Sequence, residues 1–271
     1  MKTIFMNAQN LPSVQKQATP CVMALGYFDG VHLGHQQVIQ HAYEEAKRRG
    51  LPLALMSFRP HPIFVLSGGK RLVPHLTTLC QKQKILAKLG VDLFYLVEFT
   101  PKFAKLSPQK FVQDYLLGLE VTHAVAGFDF SYGAKGSARL NQIPADSDGL
   151  ITVTEVDCLA HQGEKISSTA IRQRLLSAKV DEIRHFLGKD YFVKTTWNGH
   201  KFMLIEDTML PAPGIYEAEL EGPDRILKSI ILVDEQGELH PLESKANLLR
   251  GTIIIHLLRQ VKTSLSSQTF S

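Results

Sequence analysis

Apolar residues in the first two thirds of the chain occur in short runs, with amphipathic stretches between them. One run at Cys21–Leu25 ends at Gly26, and a helical pattern then extends over residues 35–49 and closes at Gly50. A second apolar run, residues 51–58, follows at once. Two buried strands on either side of a crossover helix form a βαβ unit, which predicts a parallel sheet.

The alternation continues to residue 188. The further predicted elements are a helix at 78–89, a strand at 91–97, a helix at 108–117, strands at 124–127 and 151–156, and helices at 168–178 and 180–187. Repeated alternation of this kind is typical of an α/β fold with a doubly wound parallel sheet. We expect this first domain to span residues 1–188.

The pattern changes after Gly188. Segments separated by Gly, Pro and Asn turns predict strands at 191–197, 214–220, 226–233 and 252–258. We therefore expect residues 189–271 to form a small β-rich domain. Its last ten positions, 262–271, are mostly Ser, Thr and Gln and are expected to fray.

Composition narrows the class of protein. The 271 residues are 44% apolar and 21% charged, which suits a packed globular chain. The net charge of +4 is spread in both signs and does not indicate a nucleic-acid surface. The three cysteines lie far apart, so no disulfide framework or zinc site is predicted, and no apolar run is long enough for a bilayer. We expect a cytoplasmic protein without nucleic-acid or membrane partners.

The most informative stretch is GYFDGVHLGH at residues 26–35, which follows a predicted strand and opens a helix. Ligands of open α/β sheets bind at the carboxyl ends of the strands, and a helix N-terminus attracts anions. Glycines let the backbone approach a phosphate closely. His32 and His35 can both present an imidazole to one polyphosphate, so phosphate is the expected ligand.

This string resembles the signature of the FAD synthetase module of prokaryotic riboflavin kinase/FAD synthetase proteins, within the HxGH nucleotidyltransferase superfamily. Three further stretches agree with that family in identity and order. SFRPHP at 57–62 resembles its TFxPHP segment, GFDFSYG at 127–133 resembles GxDFxFG, and ISSTAIR at 166–172 matches ISSTxIR. The family resemblance implies that FMN and ATP are the substrates and that FAD and pyrophosphate are the products.

The resemblance also implies residue roles. The catalytic and phosphate-holding residues would be His32, His35, Ser168, Thr169 and Arg172. The other ATP-binding residues would be Gly26, Tyr27, Phe28, Asp29, Gly30, Gly34 and Ser167. The flavin side would be Phe58, His61, Pro62, Asp129 and Phe130. Mg²⁺ is expected to arrive with ATP, because the sequence has no dedicated carboxylate cage, and no protein metal ligand is expected.

Each motif also has a purely structural interpretation. Pro60 and Pro62 can end a strand with His61 as a cap, and Asp129 can be a turn residue. Ser167 and its neighbours form a typical N-cap cluster before a helix. A capping role and a phosphate-binding role are compatible at one helix start, since both use its free N–H groups.

The last domain departs from the family pattern. In bifunctional relatives it is a six-stranded β-barrel riboflavin kinase with a GxPTxN segment, and this chain has KFMLIEDT at 201–208 where that segment is expected. PGIY at 213–216 resembles the barrel's PxGVY strand start, LLRG at 248–251 resembles its LYG turn, and Glu238 lies near the kinase's catalytic Glu. These features predict a β-barrel-like, degenerate riboflavin kinase domain, through which the chain could self-associate.

Three alternatives to a monofunctional FMN adenylyltransferase remain open at this point. The first is another HxGH transferase that uses phosphopantetheine or glycerol phosphate. The second is a bifunctional riboflavin kinase/FAD synthetase. The third is a non-catalytic flavin or nucleotide sensor whose tail domain contacts a partner.

Overall fold

The computed structural model describes residues 1–243 and 249–261. The chain forms two compact units. The first, here called the α/β unit, combines Met1–Val73 with Leu79–Ile166, and the second, the barrel unit, combines Pro74–Thr78 with the chain from Ser167 onward. Residues 167–188 thus group with the barrel unit by contact, whereas the sequence places the domain boundary near residue 188.

The α/β unit is built on a parallel sheet. The strands of this unit are β1 (Lys2–Met6), β2 (Cys21–Leu25), β3 (Leu53–Arg59), β4 (Leu93–Glu98), β5 (Val121–Gly127), β6 (Ser131–Tyr132), β7 (Ala138–Arg139), β8 (Thr152–Val156), β9 (Ala160–His161) and β10 (Glu164–Lys165). The six-stranded sheet has the order β1-β4-β3-β2-β5-β8, and every pair in it is parallel. The chain leaves β2 towards β3 on one side and returns to β5 on the other, so the connections reverse direction between β2 and β5.

Helices cover both faces of this sheet. They are α1 (Leu11–Gln15), α2 (Leu33–Arg49), α3 (Pro62–Leu66), α4 (Leu79–Lys88), α5 (Pro108–Phe111) and α6 (Ile143–Asp146). One core cluster contains Met23 and Phe111, and the other contains Val22 and Ile39. Because successive residues of β2 enter opposite clusters, both faces of the sheet are buried, and the predicted doubly wound fold is confirmed.

The longest helix, α2, follows from its sequence. Its buried residues Val38, Ile39, Ala42 and Ala46 lie on one helical face. The His32 side chain caps its start, and Gly50 ends it with a φ of 67°, a left-handed conformation that suits glycine. The helix begins at Leu33 rather than at the predicted residue 35. Its cap is a histidine and not one of the usual capping residues, so the sequence pattern did not mark the start of the helix.

Apart from short elements, two parts of the α/β unit differ from the sequence prediction. Strand β1 was not predicted, so β2 is the second strand of the sheet and not the first. β1 lies at the sheet edge with Phe5 57% exposed, and it therefore lacks the continuous apolar run of a central strand. The helix predicted at 108–117 is α-helical only over α5, and then continues as a π-helical turn, Val112–Leu116, and a 3₁₀ turn, Leu117–Leu119.

The barrel unit contains α7 (Ser168–Leu176), α8 (Arg184–Leu187) and six strands. The strands are β11 (Tyr191–Trp197), β12 (Phe202–Leu204), β13 (Gly214–Glu221), β14 (Ile226–Val233), β15 (Leu239–Pro241) and β16 (Thr252–Gln260). They close in the order β11-β12-β15-β14-β13-β16, and β16 pairs with β11. Burial alternates along β13 and β16, as expected when every second side chain points inwards. The predicted barrel-like domain is confirmed.

Two parts of the tail prediction lie partly or wholly outside the described residues. Leu248 of the LLRG turn is one, and the segment 262–271 is the other. The strands β12 and β15 were not predicted, because each has only three residues and carries no readable period.

Gly90, just after α4, gives a first testable prediction. Its φ is +84°, and a Cβ there would lie 2.7 Å from Cε2 of Tyr43. We expect Gly90→Ala to lower the free energy of unfolding by about 2 kcal/mol, from backbone strain and from displacement of the Tyr43 ring. Gly149→Ala is the matched control, since its φ is +81° with open space around the Cβ position. Equal losses in urea unfolding would contradict the steric part of this explanation.

Candidate active site

The candidate site lies where the sheet connections reverse. The Gly-rich loop, residues 26–32, follows the carboxyl end of β2, and the segment Phe128 to Phe130 follows the carboxyl end of the neighbouring β5. In doubly wound sheets the crevice at such a reversal is the usual ligand position. The fold therefore brings two of the four sequence motifs to one crevice of the α/β unit.

The Gly-rich loop has an unusual backbone. Phe28 and Val31 have positive φ values of 54° and 43°, and Gly30 has 77°. A non-glycine residue in this region costs about 1–3 kcal/mol and persists only where the surroundings hold it. Here the Phe28 ring is buried, and a Cβ at Gly26 would lie 3.1 Å from it. Gly26 is thus the residue that lets the Phe28 ring fold back over the loop.

The carbonyl of Tyr27 anchors the loop. It accepts a hydrogen bond from Ser57 Oγ at 2.7 Å and another from Lys82 Nζ at 3.0 Å. The Lys82 ammonium lies 4.9 Å from the centroid of the Tyr27 ring, within the range of a cation–π contact. The same ring meets the His61 ring edge-on, with centroids 4.3 Å apart. Two side chains from β3 and α4 therefore fix the loop just before its strained residues.

His32 and His35 form a stacked pair. Their ring centroids are 3.5 Å apart, and the planes differ by 16°. The backbone N–H of His35 donates to His32 Nδ1 at 3.2 Å, so Nδ1 is an acceptor and the proton of the neutral ring sits on Nε2. Gly34 makes the pair possible, because a Cβ there would lie 3.3 Å from His32 Nδ1.

Both imidazoles are neutral near pH 7. Burial lowers the pKa of His32 to about 4, although the negative charges of Asp29 and Asp129 oppose the shift. Burial also holds the pKa of His35 well below its usual value; a protonated His32 would lower it further, and the positive charges of Lys82 and Lys165 act in the same direction. A neutral pair can donate hydrogen bonds to phosphate oxygens without acting as an acid.

The SFRPHP segment contributes an aromatic group and a cap. Phe58 is partly buried, with its ring centroid 5.8 Å from that of Phe99 and 5.6 Å from that of Phe103. His61 caps α3, since its Nδ1 accepts the N–H of Ile63 at 3.1 Å, and Pro62 is the first residue of that helix. His61 therefore caps a helix that the sequence did not predict, rather than the end of a strand, and this cap also fixes the ring that meets Tyr27.

Asp129 is exposed and paired. Its carboxylate accepts a 2.6 Å ion-pair contact from Lys165 Nζ, and the same ammonium lies 4.5 Å from the centroid of the Phe128 ring. Phe130 is partly buried, with its ring stacked 6.1 Å from that of Tyr132. The crevice thus carries one positive and one negative side chain next to an exposed aromatic ring.

The ISST segment starts α7 in the barrel unit. The N–H of Ala170 donates to Ser167 Oγ at 3.1 Å, so Ser167 is the N-cap that the sequence suggests. Ser168 opens the helix, and Thr169 is exposed on its first turn. The guanidinium of Arg172 donates to the carbonyl of Pro74 at 3.3–3.4 Å.

The described residues contain one cluster of potential metal ligands, and it lies in the barrel unit. In the part of the chain that the structure describes, Asp234, Glu238 and His240 of the barrel unit form the single cluster of three potential ligands. Asp234 accepts the N–H groups of Gln236 and Glu238, and the Glu238 carboxylate pairs with Lys201. Side chains that are already engaged in this way make a poor cation cage.

Three residues near the motifs were missed from the sequence: Ser57, Lys82 and Lys165. Ser57 stands inside the SFRPHP segment but has no obvious ligand role there. Lys82 could have been found, because a lysine occupies the buried face of α4 one turn before the buried Leu86. Lys165 directly precedes the ISST segment, and only the folded hairpin of β9 and β10 brings it to Asp129.

The described residues contain no helix that is long enough and apolar enough to span a bilayer.

Comparison with known proteins agrees with these motifs. A model of the FAD synthetase family matches residues 14–170. A bifunctional riboflavin kinase/FMN adenylyltransferase of Listeria monocytogenes is 42% identical over 230 residues, which cover 80% of this chain and 72% of that protein. An FAD synthetase of the same organism is 31% identical over 209 residues, covering 75% and 83% respectively.

The whole fold also has a solved counterpart. A Streptococcus pneumoniae crystal structure described as a macrolide-efflux protein superposes with a TM-score of 0.83 at 26% identity, covering 97% of this chain and 91% of that one. Both units are therefore found together in another chain. Because the family model matches more than half of the residues of this chain, the chain belongs to the FAD synthetase family of nucleotidyltransferases.

Proposed function

We propose that this protein is an FMN adenylyltransferase, which makes FAD and pyrophosphate from FMN and ATP. The observation that carries the proposal is the stacked, neutral pair of His32, at the end of the Gly-rich loop, and His35, in the first turn of α2. This pair lies at the N-terminus of α2, next to the point where the sheet connections reverse. A phosphate group bound there would also interact favourably with the free N–H groups of that helix N-terminus. The names of the relatives, which include FMN adenylyltransferase and FAD synthetase, support the same reaction.

The chemistry asks for positioning more than for proton transfer. A phosphate oxygen of FMN attacks the α-phosphorus of ATP, a new P–O bond forms, and the bond from that phosphorus to the pyrophosphate leaving group breaks. The FMN phosphate is already an anion, so no base has to remove a proton. His32 donates from Nε2–H to a phosphate oxygen, and His35 stabilises the stack and shares this task.

The remaining roles follow the family motifs. Ser168, Thr169 and Arg172 would bind the β- and γ-phosphates, with Ser167 capping the helix that carries them. Gly26 to Gly30 and Gly34 would let the nucleotide approach the backbone. On the flavin side we place Phe58, His61, Pro62, Asp129 and Phe130. Mg²⁺ bound to ATP would neutralise part of the charge on the departing pyrophosphate.

We further propose that riboflavin kinase activity is absent. The PTxN segment is missing from the sequence after Trp197. Glu238, which lies near the position of the kinase's catalytic Glu, pairs with Lys201 and lies 3.6 Å from His240 Nε2. A carboxylate that is already paired in this way is not free to accept a proton from a substrate hydroxyl. Self-association through the barrel unit and a cytoplasmic location remain predictions.

The test is an incubation of the full chain with ATP and Mg²⁺ and one of four acceptors: FMN, riboflavin, 4′-phosphopantetheine or glycerol 3-phosphate. We expect FAD from FMN and no product from the others, with activity lost in the His32→Ala, His35→Ala double variant. FMN made from riboflavin would restore the bifunctional alternative. Tight binding of FMN or ATP without turnover would contradict the proposal in favour of a sensor.

A further inference from the structure

Lys82 occupies a place that packing alone does not explain. It lies on α4 with only 7% of its surface exposed, on the helix face that also buries Leu86. Burying an ammonium group in this way costs more stability than an apolar side chain of similar length would. A methionine would fill the same space without that cost. The charge therefore calls for a functional explanation.

The contacts of Lys82 all converge on the Gly-rich loop. Its Nζ donates to the carbonyl of Tyr27 at 3.0 Å and lies 4.9 Å from the centroid of the Tyr27 ring. The carboxylate of Asp29, two residues further along the loop, is buried and favours the charged form of the lysine. Burial lowers the pKa of Lys82 to about 8, so the ammonium is still mostly charged at neutral pH.

We propose that Lys82 is a positioning residue for adenylyl transfer, which clamps the Tyr27 carbonyl and so holds the Gly-rich loop, and with it His32 and His35, in the reactive arrangement. The inference rests on the proposed function. Tyr27 directly precedes Phe28, whose left-handed backbone is stable only while the loop is held. The loop then leads to His32, which caps α2 and stacks on His35. Release of the carbonyl would let the strained residues relax and move both imidazoles.

Ser57 provides an internal comparison, because its hydroxyl donates to the same carbonyl at 2.7 Å without a charge. If any hydrogen bond to Tyr27 were enough, Ser57 alone could hold the loop. A charged donor makes the stronger hydrogen bond, and Lys82 adds the contact with the ring. Loss of Lys82 should therefore affect the loop more than loss of Ser57.

The experiment compares four variants of the full chain in FAD synthesis from FMN and ATP. Lys82→Met keeps the length and apolar body of the side chain, and we expect kcat to fall about 10²-fold with less than about a threefold change in the KM for ATP. Ser57→Ala should lower kcat by less than about tenfold. Lys84→Met, on the exposed side of the same helix, should equal the wild type. Lys82→Arg, which keeps the charge, should recover at least about a third of the wild-type kcat.

Other outcomes would overturn the inference. A Lys82→Met protein with a lower Tm but normal kcat, assayed 20 °C or so below that Tm, would make Lys82 purely structural. A raised KM for ATP at unchanged kcat would make it a binding residue only. If Lys82→Met does not fold, a folded but inactive Lys82→Arg protein would contradict the clamp. Failure of the wild type to make FAD would refute the proposed function instead, so the two failures are distinct.

Discussion

Replacement of His32 by glutamine is expected to lower kcat for FAD formation by about 10³-fold while the protein stays folded. The Gln side chain can still accept the N–H of His35 through its amide oxygen, so the cap of α2 survives. It cannot stack on the His35 ring or present Nε2–H from the same point. Loss of one preorganised donor to a developing charge typically costs 10²- to 10³-fold, and here the stack with His35 is lost as well.

The measurement is steady-state FAD formation, with chromatographic separation of the flavins and circular dichroism to verify the fold. His41→Gln is the matched control, because His41 is an exposed histidine on the same helix. The control should keep wild-type kcat. If the kcat of His32→Gln lay within tenfold of the wild-type value, His32 would not stabilise the transition state and would serve only as a helix cap.

The buried histidine pair should also make the protein sensitive to mild acid. The pKa of His32 is lowered from 6.5 to about 4 in the folded protein. Between these values the unfolded chain binds more protons than the folded chain, so the free energy of unfolding rises with pH. The free energy of unfolding is therefore at its full value above about pH 6.5, and it decreases as the pH falls towards 4. For His32 alone the loss from pH 7 to pH 5 is about 2 kcal/mol, and His35 acts in the same direction.

Urea unfolding at pH 7 and pH 5, followed by the helical circular dichroism signal, tests this expectation. The quantity compared is the loss on acidification in the wild type minus the loss in His32→Gln. We expect a difference of about 2 kcal/mol, because the variant has no buried imidazole at position 32 to protonate on unfolding. An identical pH dependence in both proteins would mean that His32 is hydrated enough to keep an ordinary pKa.

Much of the α/β unit could be predicted because its central strands are continuous apolar runs. β2 occupies the predicted residues, Cys21–Leu25, and its loop and helix follow in the expected order. The positions of His32 and His35 could be predicted for the same reason, since their motif lies between two readable elements. β1 was not predicted, because an edge strand buries only part of its surface and therefore lacks a continuous apolar run.

The missed site residues have a different cause. Lys82 and Ser57 meet at the Tyr27 carbonyl from positions 55 and 30 residues away in the chain. No local pattern records which carbonyl a side chain will reach once the strands pair. Residues 167–188 group with the barrel unit because of the surfaces they pack against. Helix periodicity does not indicate which surfaces pack together, so this grouping could not be predicted from the sequence.

The closed barrel has a consequence for how this chain can change over generations. Its integrity depends on the pairing of β16 with β11 and on inward side chains such as Val193, Tyr216 and Ile255. The described loops that join these strands take no part in the strand pairing itself. Mutations there can therefore accumulate by neutral drift, with an activity erased or a new one acquired while the scaffold persists. In such an architecture the fold can be conserved through evolution while the reaction that it supports is lost or replaced.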